Sequence, residues 1–352
     1  MITYVTVDST ITGVGKYAFD LYRLLKPDSE VIQIIFNKQY MDDNYKSPVT
    51  GTRFPAINYP LSSIVYKKAI KKINSIDNIV HITSQTIKPI FMAKHMVVTV
   101  HDIMAAYNTN KSKSLIDIVK LFYARKYLKI YLSYENIITI SNHVKSEIIN
   151  NFNINEHNVE VIPPYIPNFF HKINDKNSIR NKLNLPLDKK LILSISSNQP
   201  RKNLDMVKNV MQSLGNEYRL VRIGPSVGDS ITFNNVDSKT INEIYNACDL
   251  LYFPTLMEGF GYPVVEAFKT GLPVVSSDID VIREISSEAA VLVNPNNLDE
   301  NIKAIKYALH NKEKLIEKGL SISEKYSPEF IRGKLANYYN GIMDGAVRDK
   351  TY

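Results

Sequence analysis

Tryptophan is absent from the 352 residues, and cysteine occurs once, at Cys248. A single cysteine can form neither an internal disulfide nor a cysteine-based zinc site, which excludes a disulfide-stapled domain and fits a reducing compartment. The seven histidines (His81, His95, His101, His143, His157, His171 and His310) include no H-x-x-x-H pair, so no resident metal is expected. No apolar run reaches the ~18 residues of a membrane-spanning helix. The first residues, MITYVTVDSTITG, lack the basic-then-apolar order of a signal peptide. These absences together predict a cytoplasmic protein. What is present is an ordinary globular balance, 44% apolar and 22% charged, which excludes disordered, collagen-like and coiled-coil chains. At ~150 residues per domain, the length predicts about two domains.

Acidic residues are scarce in one stretch. Residues 60–130 carry 12 Lys or Arg against Asp77, Asp102 and Asp117, within a chain of net charge +8. Such an excess attracts phosphates on a lipid, a nucleic acid or a substrate, or else is simply a solvated face. Residues 62–73 and 114–132 mix apolar and basic positions. They read either as ordinary core-facing helices or as basic helices at an anionic membrane surface, which would place the protein peripherally at the inner membrane face.

Short β-branched runs alternate with helical patterns. Strands are predicted at 2–7, 31–36, 78–82, 96–100, 136–140 and 158–162, with helices at 14–25, 61–75, 113–133 and 142–149. Prolines 163, 164, 167 and 186 then interrupt the pattern. A second alternation follows, with strands at 190–195, 219–223, 249–253, 273–275 and 289–293 and helices at 203–213, 240–248, 263–270 and 299–311. The expected architecture is α/β, with two doubly wound Rossmann-like domains, 1–168 and 169–328, facing a central cleft. A last helix within 329–352 is expected to return to the first domain.

Four motifs fall at strand ends, where such sheets bind ligands. In PTLMEGFGYPVVEAFKTG (254–271), Glu258 lies in a loop with Gly259, Phe260 and Gly261. Pro263 suits a first helical turn, with Val264 after it, and Glu266 is expected in that turn. In QPRKN (199–203), Asn203 reads as an N-cap. Arg201 and Lys202 then stand at the positive end of a helix dipole, a placement that calls for something negative between them. GVGKYA, with Gly13 and Gly15, is half of a dinucleotide fingerprint and lacks its acidic partner, so its glycines read as a slim loop. TVHD ends a strand at His101, which either touches substrate or is held structurally. Cys248 reads as a small core residue.

The run from Ile241 to Ile302 resembles the signature region of retaining glycosyltransferase family 4, a nucleotide-sugar family with the GT-B fold. Its Glu-x7-Glu motif matches Glu258 and Glu266, and its Arg-Lys pair matches Arg201 and Lys202. TGVGKYAFDL, TVHD and TISNHVKSEI…VEVIPP are similar to its amino-terminal patterns, although Tyr165 replaces a usual glycine in VIPPYIP. The resemblance implies transfer of a hexose, glucose or mannose first, from a UDP-, GDP- or ADP-sugar with retention at the anomeric carbon. The acceptor would be a hydroxyl of a glycan or lipid-linked glycan. By motif position, Glu266 would hold the ribose hydroxyls and Glu258 would face the sugar. The segment Gly259, Phe260, Gly261, Pro263 and Val264 would complete the donor site. Arg201 and Lys202 would neutralise the leaving diphosphate, His101 would lie beside the sugar, and Gly13 and Gly15 would leave room for phosphates. Neither metal nor other cofactor is implied, and no stable nucleic-acid partner is expected. The alternatives are a DNA-modifying glycosyltransferase, a basic nucleic-acid-binding protein, or a nucleotide-sugar epimerase on the same fold.

Overall fold

The computed structural model describes residues 1–6, 8, 13–35, 49–50, 71, 73, 76–84, 92–103 and 115–344. The helix expected at 61–75 lies outside the described residues except at 71 and 73. The chain divides into two compact units, one formed by Met1–Pro164 with the chain from Ile331 onward, the other by Tyr165–Phe330.

The first unit is built on a seven-stranded parallel sheet. In chain order its strands are β1 (Ile2–Thr6), β2 (Ser29–Ile35), β3 (Val49–Thr50), β4 (Ile79–Ile82), β5 (His95–Val100), β6 (Ile137–Thr139) and β7 (Val159–Val161). They lie side by side as β3-β2-β1-β4-β5-β6-β7. Helices α1 (Gly13–Leu24), α2 (Leu115–Tyr131) and α3 (Asn142–Phe152) connect them. The central strands are covered on both faces, which is why β4 and β5 read as apolar runs without alternation. Ser141 caps α3 by accepting from the Val144 amide at 3.2 Å, and Asn153 closes it in the left-handed conformation.

The second unit carries α4 (Lys176–Lys182), β8 (Lys190–Ile195), α5 (Leu204–Leu214), β9 (Tyr218–Ile223), β10 (Ile231–Phe233), α6 (Ser238–Ala247), β11 (Leu250–Phe253) and α7 (Tyr262–Lys269). It continues with β12 (Val274–Ser277), α8 (Asp280–Ser286), β13 (Ala290–Val293), α9 (Leu298–His310) and α10 (Lys312–Ser323). Its six parallel strands are ordered β10-β9-β8-β11-β12-β13. Val207, Val210 and Leu214 of α5 and Ala304, Ile305 and Ala308 of α9 recur at helical spacing and pack on Ile192, Leu250, Tyr252 and Val275. β10, α8 and α10 have no counterpart among the expected elements. β10 and α8 are short, and α10 turns Gly319 and Ser323 inward beside Leu315, which hides its period.

The last helix, α11 (Pro328–Met343), starts in the second unit and ends in the first. Tyr339 ties it to the first sheet. Its hydroxyl lies 2.7 Å from His81 Nδ1 and donates to Tyr4 Oη at 3.3 Å, while His81 Nε2 lies 2.7 Å from Thr99 Oγ1. Burial holds His81 down to about 3, so its ring is neutral. Since Tyr339 gives its proton to Tyr4, His81 Nδ1–H is the donor to Tyr339 and Nε2 accepts from Thr99.

Candidate active site

Two loops at the carboxyl edge of the second sheet carry the chemistry. After β8 the chain makes a tight turn at Pro200–Lys202; after β11 it forms the loop 254–261 that leads into α7. β8 and β11 are neighbours, and the order of the sheet reverses between them, with β9 and β10 on one side and β12 and β13 on the other. A reversal of this kind is where connections diverge and ligands bind.

The two loops are joined by both backbone and side chains. The Leu256 amide donates to the Arg201 carbonyl at 2.7 Å, and the Thr255 hydroxyl donates to Glu258 Oε1 at 2.9 Å. Arg201 Nη1 donates to Glu258 Oε2 at 3.2 Å and to the Met257 carbonyl at 2.9 Å, while its Nε donates to Gln199 Oε1 at 2.8 Å. The Lys202 ammonium binds Glu258 Oε1 and stands 5.4 Å from the centre of the Phe253 ring. Glu258 therefore occupies the negative place that the two cations call for. The Lys202–Glu258 pair is mostly shielded, with side chains 12% and 10% exposed, whereas Arg201 is a third exposed. Burial lowers the Lys202 ammonium below the usual lysine range, against the pull of Glu258.

Glu266 sits one turn deeper than expected. α7 begins at Tyr262, so Glu266 falls in its second turn and is no partner for the helix dipole. It is buried, and its Oε2 accepts from the Tyr245 hydroxyl of α6 at 2.6 Å. A buried carboxylate oriented by a tyrosine hydroxyl beyond a strand's carboxyl end is suited to accept from ligand hydroxyls.

Gly261 precedes α7 with φ +102°, and a Cβ there would lie 2.9 Å from Ile282 Cδ1 and 3.0 Å from Ile285 Cδ1. Phe260 is buried edge-on against Tyr262 and Tyr326, at 5.4 and 5.5 Å between ring centres. Its ring anchors the loop, which leaves only its backbone to serve a ligand. Pro263 occupies the first helical turn, Val264 is fully buried, and the Val264 amide donates to the Gly261 carbonyl at 3.0 Å. Gly261→Ala is expected to destabilise the protein by about 1–3 kcal/mol, through overlap and a strained φ. A urea melt showing no loss of midpoint would contradict that account.

Two further expectations are corrected. Asn203 precedes α5 but does not cap it with its side chain. Its backbone is left-handed, at φ 55°, and its Nδ2 donates to the Pro295 carbonyl at 2.9 Å. Gly13 and Gly15 lie within the first turn of α1 rather than in a loop, and Gly15 is buried. The sequence also gave no sign of Tyr245 or Thr255, because one aromatic or hydroxyl residue in an apolar context has no periodic signature.

His101 belongs to the first unit, just past β5. Its Nε2 donates to the Thr83 carbonyl at 2.8 Å, and Tyr17 stands edge-on to its ring at 5.0 Å. Burial lowers its imidazole below the ordinary histidine range, against the pulls of the Thr83 carbonyl, Asp102 and Asp8. With Nε2 donating, the neutral ring keeps its lone pair on Nδ1. Among the described residues, no group of three or more His, Cys, Asp or Glu is placed to hold a metal ion.

Doubly wound parallel sheets with a cation–carboxylate cluster at a switch point define an α/β protein with a candidate anion site. Residues 175–320 match the family described as "Glycosyl transferases group 1". The O-antigen chain mannosyltransferase RfbU of Salmonella typhimurium is 24% identical over 325 residues, covering 84% of this chain and 86% of that protein. Sucrose-phosphate synthase of Thermosynechococcus elongatus superposes with a TM-score of 0.79 at 15% identity, over 98% of this chain and 99% of that one. Anabaena HepE in complex with UDP-glucose gives 0.79 at 15% identity, over 97% and 100%. These two structures share the GT-B fold with it. Residues 175–320, most of the second unit, thus carry the match to the group 1 glycosyltransferases.

Proposed function

We propose that the second unit grips the diphosphate of a nucleotide sugar at the edge of β8 and β11, and that the enzyme moves its hexose, with retention, to a hydroxyl of a lipid-linked glycan. One observation carries this reading: Arg201 and Lys202 converge on Glu258 at the switch point of the sheet. The scissile bond is a glycosyl phosphate. Its cleavage leaves a cationic sugar and concentrates negative charge on the diphosphate, so fixed cations at that spot lower the barrier. Glu258 keeps both cations aimed before the donor arrives, and Glu266 accepts from the ribose hydroxyls. RfbU is named a mannosyltransferase and HepE was captured with UDP-glucose, which supports a hexose carried on a nucleoside diphosphate.

A thermal-shift screen against UDP-, GDP- and ADP-sugars tests the reading, since a ligand that binds only the folded protein raises its midpoint. One nucleotide sugar is expected to stabilise the wild type and to lose most of that effect in Glu266→Ala. No shift with any donor at millimolar concentration would end the proposal.

The acceptor side draws on α2. Ile118 and Phe122 are 52% and 63% exposed, and Arg125, Lys126 and Lys129 continue the same helix stripe, all exposed. Among the described residues no helix is long and apolar enough to cross a membrane. An apolar pair followed by three cations suits contact with an anionic bilayer, where a lipid-linked acceptor resides. Sedimentation with phosphatidylglycerol vesicles, but not phosphatidylcholine vesicles, is expected, and Phe122→Glu should reduce it several-fold. Equal sedimentation of wild type and variant would remove α2 from the interface.

A further inference from the structure

Strand β9 reads YRLVRI, and its second arginine is enclosed. Arg222 is fully buried, the largest such side chain among the described residues. Its Nε donates to the Pro225 carbonyl at 3.2 Å, Nη1 to Ser194 Oγ at 2.9 Å and Ser196 Oγ at 3.3 Å, and Nη2 to the Ser196 carbonyl at 3.0 Å. Every one of these partners is neutral, and no ion pair of the described residues includes Arg222. Burial draws its guanidinium down to about 10, which leaves it charged at neutral pH. A buried cation without a counter-charge costs stability, and such violations concentrate where function uses the charge.

Its place in the sheet says which function. Arg222 is paired in register with Ser194 of β8, and the chain from Ser194 runs through Ser196 to Arg201 and Lys202. Gly224 locks the end of β9 onto the same segment: with φ +118°, a Cβ on it would come within 2.2 Å of the Ser196 carbonyl oxygen. Arg222 thus lies beneath the β9 side of the edge that holds the two site cations, as Glu258 lies on the β11 side. Arg201, Lys202 and Glu258 together carry a single positive charge. Arg222 raises the total to two, which matches a diphosphate bearing one negative charge per phosphate.

We propose that Arg222 is a positioning residue whose buried charge, carried through the Ser194–Ser196 segment, helps hold the diphosphate of the nucleotide sugar. This rests on the reading of the site as a diphosphate site. It also accounts for the two serines, which fix the guanidinium without neutralising it.

The test is Arg222→Met, which keeps length and removes charge, with Arg222→Lys as the variant that keeps it. Calorimetric titration would compare UDP, UMP and uridine, and GDP, GMP and guanosine, alongside the thermal midpoint of each protein. For Arg222→Met the midpoint is expected to move little, because relief of a lone buried cation is offset by the loss of its hydrogen bonds to the Ser194 and Ser196 hydroxyls and the Ser196 and Pro225 carbonyls. The diphosphate Kd should rise about ten-fold, the monophosphate Kd less, and the nucleoside Kd not at all. Arg222→Lys should recover most of the diphosphate affinity; should the methionine variant not fold, a diphosphate Kd for Arg222→Lys within about three-fold of wild type supports the proposal and a ten-fold loss overturns it. Equal losses across the three ligands, or none, would make Arg222 a strand brace and overturn it. Wild-type protein that binds neither of these diphosphates, nor ADP, would instead overturn the site reading, and this inference with it.

Discussion

Lys202→Ala is expected to lower turnover by about 10²–10³-fold while shifting the KM for the nucleotide sugar only a few-fold. The ammonium is shielded and already aimed, held by Glu258 and set against the Phe253 ring. A donor fixed in that way spends little reorganisation as charge grows on the leaving diphosphate, so its contribution is concentrated in the transition state. Part of the loss comes from Glu258. Without Lys202 its carboxylate keeps Thr255 and the more exposed Arg201 as partners, and its charge, now offset by Arg201 alone, opposes the incoming phosphates. Lys202→Ala combined with Glu258→Gln separates the two effects. A double variant more active than Lys202→Ala assigns the difference to repulsion by Glu258, and one equally slow assigns the whole loss to the missing cation. Steady-state rates with saturating donor decide the main point: turnover of Lys202→Ala within about three-fold of wild type would remove Lys202 from the reaction.

The parts of the site that could be read in the sequence are those that local physics marks. QPRKN and EGFGYP each follow an apolar run within a few residues, and cations at a helix start or glycines before Pro263 are legible because each has a local cost that needs a reason. The convergence of Arg201 and Lys202 on Glu258 depends instead on β8 and β11 being neighbours, a fact of sheet order that lies more than fifty residues beyond any local window. Asn203 shows the limit from the other direction. Asparagine is both a good cap and a good left-handed residue, and the turn at Pro200–Lys202 takes it in the second role. Arg222 was invisible for a further reason. A strand buried on both faces shows no alternation, so an arginine in it reads as an edge residue until its neighbours are known.

Glu266 should behave differently from Lys202, because on the proposed reading it holds the nucleoside rather than the charge that develops. Glu266→Ala is expected to raise the donor KM by about 10²-fold with a much smaller change in kcat, the pattern for contacts equal in ground and transition states. The expected loss is large because the carboxylate is buried and oriented by Tyr245 at 2.6 Å, so the ribose hydroxyls would meet an acceptor already stripped of water. The same burial predicts a stability cost. Alanine strands the Tyr245 hydroxyl, fully enclosed, without its acceptor, at about 1–3 kcal/mol. Tyr245→Phe removes this donor from the carboxylate and loosens its orientation, so its KM should rise about ten-fold. The double variant should then be no worse than Glu266→Ala in KM, because Tyr245 acts only through the carboxylate it holds. Full additivity of the two KM effects would mean that Tyr245 touches the nucleotide itself, and an unchanged KM in Glu266→Ala would move the ribose away from α7 altogether.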